Sequence, residues 1–356
     1  MIDFLVIGGG IAGISAAARL SELGHVEVLE AEEALGTQAS GRSAAMFEET
    51  YGAWAVQALN RASSRFLEKA DVLSPRGFLL IDGEDADAFQ RDLDAMAMEE
   101  ISVSDAQAMV PILNNKTVSR AAYDDGAMDI DTDRLIQQCA RILRRSGGTV
   151  HLNTRVSGIA LDADTWRVAH SQGETVARHL VNAAGAWADQ VAKLAGVAPI
   201  GLTPYRRSMA RIAAPGGHDV TRWPMLFGAG EAWYAKPDAG ALLVSPADED
   251  ATHPHDAWAD DMILAEGLAR YEAHVTEPVT RPIANWAGLR SFAPDRMLIL
   301  GPDPEVPRFL WCAGQGGYGF QSSPAASQLL ADLAAGRPSE LDAEVVAALS
   351  PARFRR

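Results

Sequence analysis

The stretch FLVIGGGIAG at residues 4–13 decides the fold of this 356-residue chain. Phe4 to Ile7 form a continuous apolar run, which is typical of a buried parallel strand. The glycines follow at once with the spacing G-x-G-x-x-G. Residues 11–23 are rich in alanine and predict a helix that ends at Gly24. A strand, a glycine-rich turn and a helix in this order indicate a dinucleotide-binding βαβ unit.

Each glycine of this turn has its own physical role. Gly8 allows the tight turn, Gly10 allows the backbone to approach a pyrophosphate, and Gly13 allows the helix to pack closely on the strand. Residues 25–30 predict the second strand. Glu30 follows Gly10 by 20 residues, where an acidic residue binds the ribose hydroxyls. The first thirty residues therefore predict a dinucleotide site with the phosphates at the helix N-terminus.

A second glycine-rich turn lies late in the chain, after a predicted buried strand at residues 309–313. Residues 314–319 read GQGGYG, with four glycines in six positions, and a helix is predicted over 325–335. Such a backbone can lie against a flat ligand, and helix amides stabilise negative charge on a reduced flavin. The first motif begins at residue 8, as is common in FAD proteins, and the polar residues 31–43 would follow the pyrophosphate. We therefore expect FAD as the dinucleotide.

Composition limits the partners of the chain. Its 31 basic and 47 acidic residues give a net charge of −16, which disfavours nucleic acid and anionic membrane surfaces. The apolar stretch at residues 4–18 is too short and too rich in glycine to span a membrane. Cys139 and Cys312 are too few for a zinc site or a disulfide framework, which fits a cytoplasmic location. His253 and His255 lie in a charged, proline-containing loop, so we expect no metal site.

Five segments occur in an order that resembles a known family. They are FLVIGGGIAG (4–13), GRSAA (41–45), VNAAGAW (181–187), WAGLR (286–290) and GQGGYG (314–319). Together they resemble the D-amino acid oxidase superfamily of FAD-dependent oxidoreductases over essentially the whole chain. Within that superfamily, the segments PYRRS (204–208), WPML (223–226), YAKPDAG (234–240) and WAGLRSF (286–292) resemble the D-arginine dehydrogenases.

The resemblance implies a mixed α/β fold with two interleaved domains. A Rossmann-like FAD-binding domain of the glutathione-reductase type would comprise residues 1–46, 129–199 and 286–356. A substrate-binding domain, with a mixed β-sheet and helices above the flavin, would comprise residues 47–128 and 200–285.

The resemblance also implies the residues that contact the cofactor. Some relatives attach the flavin through a cysteine, and Arg290-Ser291-Phe292 stand in that region here, so we expect FAD to be bound non-covalently. The implied FAD contacts are Gly8, Gly10, Ile11, Ala12, Gly13, Glu30, Ala31, Arg42, Ser43, Ala44, Ala45, Val156, Ala184, Gly185, Trp187, Arg290, Gly316, Gly317, Tyr318, Gly319, Phe320 and Gln321.

For the substrate, the resemblance implies that Arg207 and Arg290 grip a carboxylate beside Tyr234. This fits the chemistry, because a carboxylate entering a dry pocket must be paired and a planar guanidinium can hold it bidentately. Residue type alone does not separate Arg207 from Arg206; the resemblance selects Arg207. The other implied catalytic residues are Tyr51 over the substrate side chain, Gly317 near the substrate amine, and Gln321 near both flavin and substrate.

Two departures from the D-arginine dehydrogenases concern specificity. Phe78 stands where those enzymes have the acid that reads the guanidinium, and Met46 stands in the place of a histidine. Both changes make the pocket more apolar, so a cationic side chain would lack its counter-charge. We therefore predict a preference for neutral or apolar D-amino acids. Glu48 and Glu49 lie nearby in the sequence and would be the alternative source of negative charge in the pocket.

The implied reaction is oxidative deamination of a D-amino acid by hydride transfer from Cα to flavin N5. The imino acid formed would hydrolyse to a 2-oxo acid and ammonia. We expect a monomeric dehydrogenase whose electron acceptor is a quinone or another carrier in preference to oxygen. The alternatives are a glycine or sarcosine-type amine oxidase, a 2-hydroxy acid dehydrogenase, or a flavoprotein without catalytic activity.

Overall fold

A computed structural model describes residues 2–83 and 85–355. In chain order the strands are β1 (Ile2–Ile7), β2 (Val26–Leu29), β3 (Met46–Phe47), β4 (Leu73–Pro75), β5 (Phe78–Ile81), β6 (Glu99–Ile101), β7 (Ala121–Asp124), β8 (Met128–Ile130), β9 (Thr149–His151), β10 (Val156–Asp162), β11 (Thr165–His170), β12 (Gly173–Asn182), β13 (Thr203–Ala213), β14 (Met225–Gly228), β15 (Trp233–Asp238), β16 (Ala241–Ser245), β17 (Asp250–Ala251), β18 (Pro282–Phe292), β19 (Ile299–Pro302) and β20 (Phe309–Ala313).

The α-helices follow the same numbering. They are α1 (Ile11–Leu20), α2 (Trp54–Lys69), α3 (Ala86–Met96), α4 (Val103–Met109), α5 (Thr132–Arg145), α6 (Ala188–Leu194), α7 (Asp261–Glu272), α8 (Gly319–Ala334) and α9 (Ala343–Leu349).

The first sheet has a parallel centre in the order β20-β12-β1-β2-β9, with β10 and β11 added antiparallel beyond β12 and β19 beside β20. The run Phe4 to Ile7 is buried, as its unbroken apolar character predicts. Because these central strands are parallel, the carboxyl ends of β1, β2, β12 and β20 meet at one edge of the sheet. The glycine-rich turns predicted from the sequence begin at this edge.

Helix α1 packs very closely on the turn from which it starts. A Cβ atom at Gly13 would lie 1.9 Å from the carbonyl oxygen of Gly8, so no larger residue fits there without movement. Helices α5 and α8 lie against the other sides of α1, and their buried faces share one apolar core with the sheet. This core fixes the N-terminus of α1 relative to the strand ends.

The second sheet has the order β17-β13-β16-β15-β14-β5-β7-β6, with β18 paired to β13. A small third sheet joins β3, β8 and β4. The predicted domain boundary at residue 286 falls within β18, which belongs to the second sheet along its whole length. The division into two interleaved domains stays a prediction.

The last long helix begins earlier than the sequence pattern predicts. The expected start at Ala325 follows a proline, but α8 begins at Gly319 and includes Pro324. Proline has no N–H to donate to the carbonyl of Phe320, and the Ser323 hydroxyl donates to that carbonyl instead at 2.9 Å. The serine thus allows the helix to continue through the proline.

Both cysteines are buried in the apolar core that α1, α5 and α8 share with the first sheet. Burial raises the pKa of Cys139 to about 11 and that of Cys312 to about 12. The two thiols therefore stay protonated near neutral pH, which agrees with their expected role in packing.

Candidate active site

A large cleft runs from the strand ends of the first sheet to the face of the second sheet. The volume within it that water-sized molecules can occupy is about 330 Å³. One end is lined by the turn after β1 and the other by Arg207, Met209 and Tyr234. The cleft therefore joins the predicted nucleotide site to the predicted substrate site.

At the nucleotide end, the turn after β1 has the geometry that the glycines predict. Gly8 has a left-handed φ of +104°, and a Cβ there would lie 2.4 Å from the carbonyl oxygen of Ala183. The first amide of α1, on Ile11, donates to the Ser40 hydroxyl at 3.0 Å. A Cβ at Gly10 would meet the same hydroxyl at 3.2 Å. Gly10, Ile11 and Ala12 at the N-terminus of α1 line the cleft, and the N-terminus of a helix favours an anion.

Glu30 lies at the carboxyl end of β2, beside this turn. Its two carboxylate oxygens accept hydrogen bonds from the amides of Gly9 at 2.5 Å and Glu32 at 2.8 Å. Burial raises the pKa of Glu30 above its ordinary value, although these amides act in the opposite direction. The carboxylate is held at the cleft wall, where it can accept hydrogen bonds from ribose hydroxyls.

The second glycine-rich turn, after β20, lies against the second sheet. Gly316 has a left-handed φ of +49°, and a Cβ there would overlap the ring of Phe292 at 2.1 Å. A Cβ at Gly317 would lie 3.2 Å from the guanidinium carbon of Arg290. These glycines let the turn approach Arg290 closely, so that nucleotide and substrate ends share a wall.

Most of the residues predicted for the site line the cleft. They are Gly8, Gly10, Ile11, Ala12, Glu30, Ala31, Arg42, Ser43, Ala44, Ala45, Met46, Val156, Ala184, Gly185, Trp187, Arg207, Tyr234, Arg290, Gly316, Gly317, Gly319, Phe320 and Gln321. The exceptions are Gly13, Tyr51, Phe78 and Tyr318, which lie behind or beside the lining. The functional roles of all these residues, inside and outside the lining, stay predictions.

Arg207 and Arg290 come together through strand pairing. Arg207 on β13 pairs with Gly288 on β18, and Arg290 follows two residues further along β18. Because side chains alternate along a strand, both arginines lie on one face of the sheet. Tyr234 on β15 lies below them, with its ring centroid 6.0 Å from the Arg207 guanidinium carbon. Arg207 is only 6% exposed, and its Nε has no partner among the described residues.

The structure separates Arg207 from its neighbour Arg206. Arg206 points to the other face of β13, where it pairs with Asp248 at 3.2 Å and with Asp250 at 2.8 Å. It does not line the cleft. Arg207 is therefore the residue of this pair that is available to a ligand.

Gln321 and Tyr51 flank the arginines. Gln321 is 3% exposed; its side-chain oxygen accepts the amide of Glu48 at 3.0 Å, while its Nε2 has no partner among the described residues. Burial raises the pKa of Tyr51 to about 12, although Arg290 opposes the shift, so the phenol stays neutral near neutral pH. The Tyr51 ring packs edge-on against Tyr318 at 5.5 Å.

Sequence reasoning missed Lys236, which lies in a strand buried along most of its length. Its ammonium donates to the carbonyl of Ala44 at 2.5 Å and pairs with Asp129 at 2.8 Å. The lysine thereby holds the cleft-lining segment next to Met46. A lone lysine within such an apolar strand is the signal that would have identified it, because a lysine is almost never fully buried without partners.

Sequence reasoning also missed Glu231, at the tip of the hairpin between β14 and β15. Its Oε1 accepts a hydrogen bond from Arg207 Nη1 at 2.8 Å and lies 3.5 Å from Arg290 Nη1. No local pattern in the sequence marks this glutamate. Only the pairing of distant strands brings it to the arginines.

Comparison with known proteins identifies the family. Residues 3–333 match the family described as DAO, FAD dependent oxidoreductase, and the chain belongs to this family. The mixed α/β fold and FAD as cofactor follow from that membership.

Individual relatives are more distant. The chain is 28% identical over 398 residues to the tRNA 5-methylaminomethyl-2-thiouridine biosynthesis bifunctional protein MnmC of Burkholderia vietnamiensis, covering 99% of this chain and 59% of that protein. It is 27% identical over 250 residues to a glycine oxidase of Pseudomonas aeruginosa, covering 69% of this chain and 66% of that enzyme. The chain thus spans less than two thirds of the length of these two curated relatives.

Among solved structures, an L-proline dehydrogenase from P. horikoshii superimposes with a TM-score of 0.83 and 22% identity, covering 100% of this chain and 98% of that one. At this identity the likeness concerns the fold. None of these three proteins is a D-arginine dehydrogenase, and that narrower resemblance stays a prediction.

The cleft fits FAD in shape and chemistry. Its turns are so tight that Cβ atoms at Gly8 and Gly316 would overlap neighbouring atoms, and Gln321 offers a buried amide without a partner among the described residues. The amides of α1 and the Glu30 carboxylate suit the pyrophosphate and the ribose.

No helix within residues 2–83 and 85–355 is long and apolar enough to cross a bilayer.

Proposed function

We propose that this protein oxidises D-amino acids with neutral or apolar side chains. The amino acid would lose two electrons and two protons to become an imino acid, which water hydrolyses to a 2-oxo acid and ammonia. The observation that carries the proposal is the convergence of Arg207 and Arg290 above Tyr234, in the same cleft as the FAD motif.

The arginines would bind the substrate carboxylate. A carboxylate that leaves water for a dry cleft needs a charged partner, and a hydrogen bond to a charged group contributes about 1.5–3 kcal/mol. Arg207 is buried and retains an unpartnered Nε. It is therefore desolvated before the ligand arrives, and the grip would fix the orientation of the substrate Cα.

The wall beside the arginines supports an apolar substrate side chain. Met46 and Met209 line the cleft, and Met209 belongs to an apolar cluster that includes Phe78 packed on Phe227 at 5.1 Å between ring centroids. Met46, Met209 and Phe78 carry no charge, so they would offer no counter-charge to a cationic side chain. Glu48 is the nearby acid named in the sequence analysis. Its carboxylate accepts hydrogen bonds from both the amide and the hydroxyl of Thr50 within its own loop.

FAD, when bound, would accept the two electrons and the hydrogen of the substrate C–H bond, and the second proton would leave the amine for solvent. The chain contributes binding, orientation and exclusion of water. In this proposal the Gly317 carbonyl lies near the substrate amine and the Tyr51 phenol covers the substrate. The electron acceptor is a quinone or another carrier. The protein is a monomer and is located in the cytoplasm.

A glycine or sarcosine-type amine oxidase is the second candidate. The similarity to a glycine oxidase favours it, because such a substrate carries the same carboxylate next to an amine. The name of the MnmC relative also raises tRNA as a substrate. The net charge of −16 opposes binding to a phosphate backbone.

Anaerobic mixing of the FAD-loaded protein with single amino acids tests the proposal. We expect D-leucine, D-methionine and D-phenylalanine to bleach the visible flavin band, and their L-enantiomers to leave it unchanged. Bleaching by glycine or sarcosine alone would favour the second candidate. Fast bleaching by D-arginine with slow bleaching by the apolar D-amino acids would contradict the specificity proposed for Phe78 and Met46.

A further inference from the structure

Glu231 places a carboxylate of the protein itself between the two arginines of the site. The same oxygen contacts Arg207 at 2.8 Å and Arg290 at 3.5 Å. The Glu231 side chain is 39% exposed, whereas that of Arg207 is 6% exposed, so the carboxylate reaches from a partly exposed hairpin tip to a buried guanidinium. Glu231 thus makes the contact that the proposed function assigns to a substrate carboxylate.

The hairpin tip holds Glu231 in this direction. Gly230 and Glu231 have φ values of +71° and +54°, and the second is a conformation that a residue with a side chain rarely adopts. The Gly230 amide donates to the Asp92 carboxylate at 2.6 Å, which ties the tip to α3. Such a backbone conformation persists only where the surrounding structure enforces it.

The charges of the site can be counted. Two guanidinium groups provide two positive charges and Glu231 provides one negative charge, which leaves one positive charge for a ligand. The unpartnered Nε of Arg207 shows that donors also remain for one further carboxylate. A second ligand carboxylate would meet Glu231, and like charges at short range in a poorly solvated site repel strongly.

We propose that Glu231 is a specificity-determining residue that limits the site to substrates with a single carboxylate. The Glu231 carboxylate neutralises one of the two positive charges, so that short dicarboxylic amino acids such as D-aspartate are rejected. This selection acts by repulsion of the wrong ligand. The inference rests on the proposed function, in which Arg207 and Arg290 bind the substrate carboxylate.

Calorimetric titration of the FAD-loaded protein with acetate and with malonate tests this role. Glu231→Gln keeps the size and one amide oxygen for Arg207 but removes the charge. We expect the affinity for malonate relative to acetate to rise about tenfold or more. The kcat/KM for D-aspartate relative to D-leucine should rise with it. Glu231→Gly, which suits the left-handed backbone, should change both ratios in the same direction.

Asp238→Asn is the matched control. The Asp238 side chain is 44% exposed and pairs with Arg211 at 2.9 Å outside the cleft, so its loss should leave the malonate-to-acetate ratio unchanged. An unchanged ratio in both Glu231 variants, with acetate binding still dependent on Arg207, would overturn the inference and leave the proposed function standing. A wild-type protein that binds neither anion would overturn the proposed function together with the inference.

Discussion

Replacement of Arg207 by methionine probes the carboxylate grip. The guanidinium is 6% exposed, and a methionine side chain of similar length would remain in an apolar setting beside Tyr234 and Met209. The change removes one positive charge and its donors while it leaves Glu231, which is partly exposed, in contact with solvent. We therefore expect the variant to fold and to retain FAD.

The magnitude follows from the hydrogen bonds that are lost. Each hydrogen bond from a guanidinium to a carboxylate contributes about 1.5–3 kcal/mol, so a bidentate contact contributes about 3–6 kcal/mol. At about 1.4 kcal/mol for each factor of ten, kcat/KM should fall roughly 10²- to 10⁴-fold. Because the carboxylate is held before and during the reaction, most of the loss should come from a higher KM.

Steady-state kinetics with the fastest amino acid found by flavin bleaching would measure this loss. Arg211→Met is the matched control, since Arg211 is on the same strand, is 28% exposed and pairs with Asp238 outside the cleft. It should keep the wild-type KM. An Arg207→Met protein with full FAD content and a KM within about threefold of the wild type would refute the carboxylate grip.

Three further predictions concern cofactor binding and stability. Gly13→Ala would place a Cβ 1.9 Å from the Gly8 oxygen, so the helix must shift; thermal unfolding should show a loss of about 1–3 kcal/mol and flavin fluorescence should show reduced FAD content. Lys236→Met removes one of the cations that pair with Asp129, and urea unfolding should show a loss of about 1–3 kcal/mol. Burial lowers the pKa of His179 below 6.5, so the unfolded chain binds the proton more readily. The free energy of unfolding should have its full value above pH 6.5 and fall as the pH drops toward the pKa of His179 in the folded protein. Urea unfolding between pH 8 and 5 measures this dependence, which should be weaker in His179→Gln.

The nucleotide half of the site was predictable because its information is local in the sequence. A strand, its turn and the following helix are continuous in the chain, so Gly8, Gly10 and Gly13 could be assigned from spacing alone. Glu30 follows from the length of one βαβ unit. The structure agrees most clearly at Gly8 and Gly13, where a Cβ atom would overlap backbone atoms.

The substrate half depended on strands that are distant in the sequence. The alternation along β13 shows that Arg206 and Arg207 face opposite sides of the sheet, but it does not show which side forms the cleft. Pairing of β13 with β18 selects Arg207 and places it beside Arg290, more than 80 residues away in the chain. A similar long-range arrangement brings Lys236 to the segment that lines the cleft.

The sequence by itself determined that the chain folds around a dinucleotide, because the required turn is short-range and its glycine spacing can be read directly along the chain. The tertiary structure alone decided the charge of the substrate site. Glu231 reaches Arg207 and Arg290 only after a hairpin tip, tied to Asp92, is placed over a sheet assembled from separate parts of the chain. Electrostatic contacts depend on distance in space, and no spacing in the sequence encodes that distance.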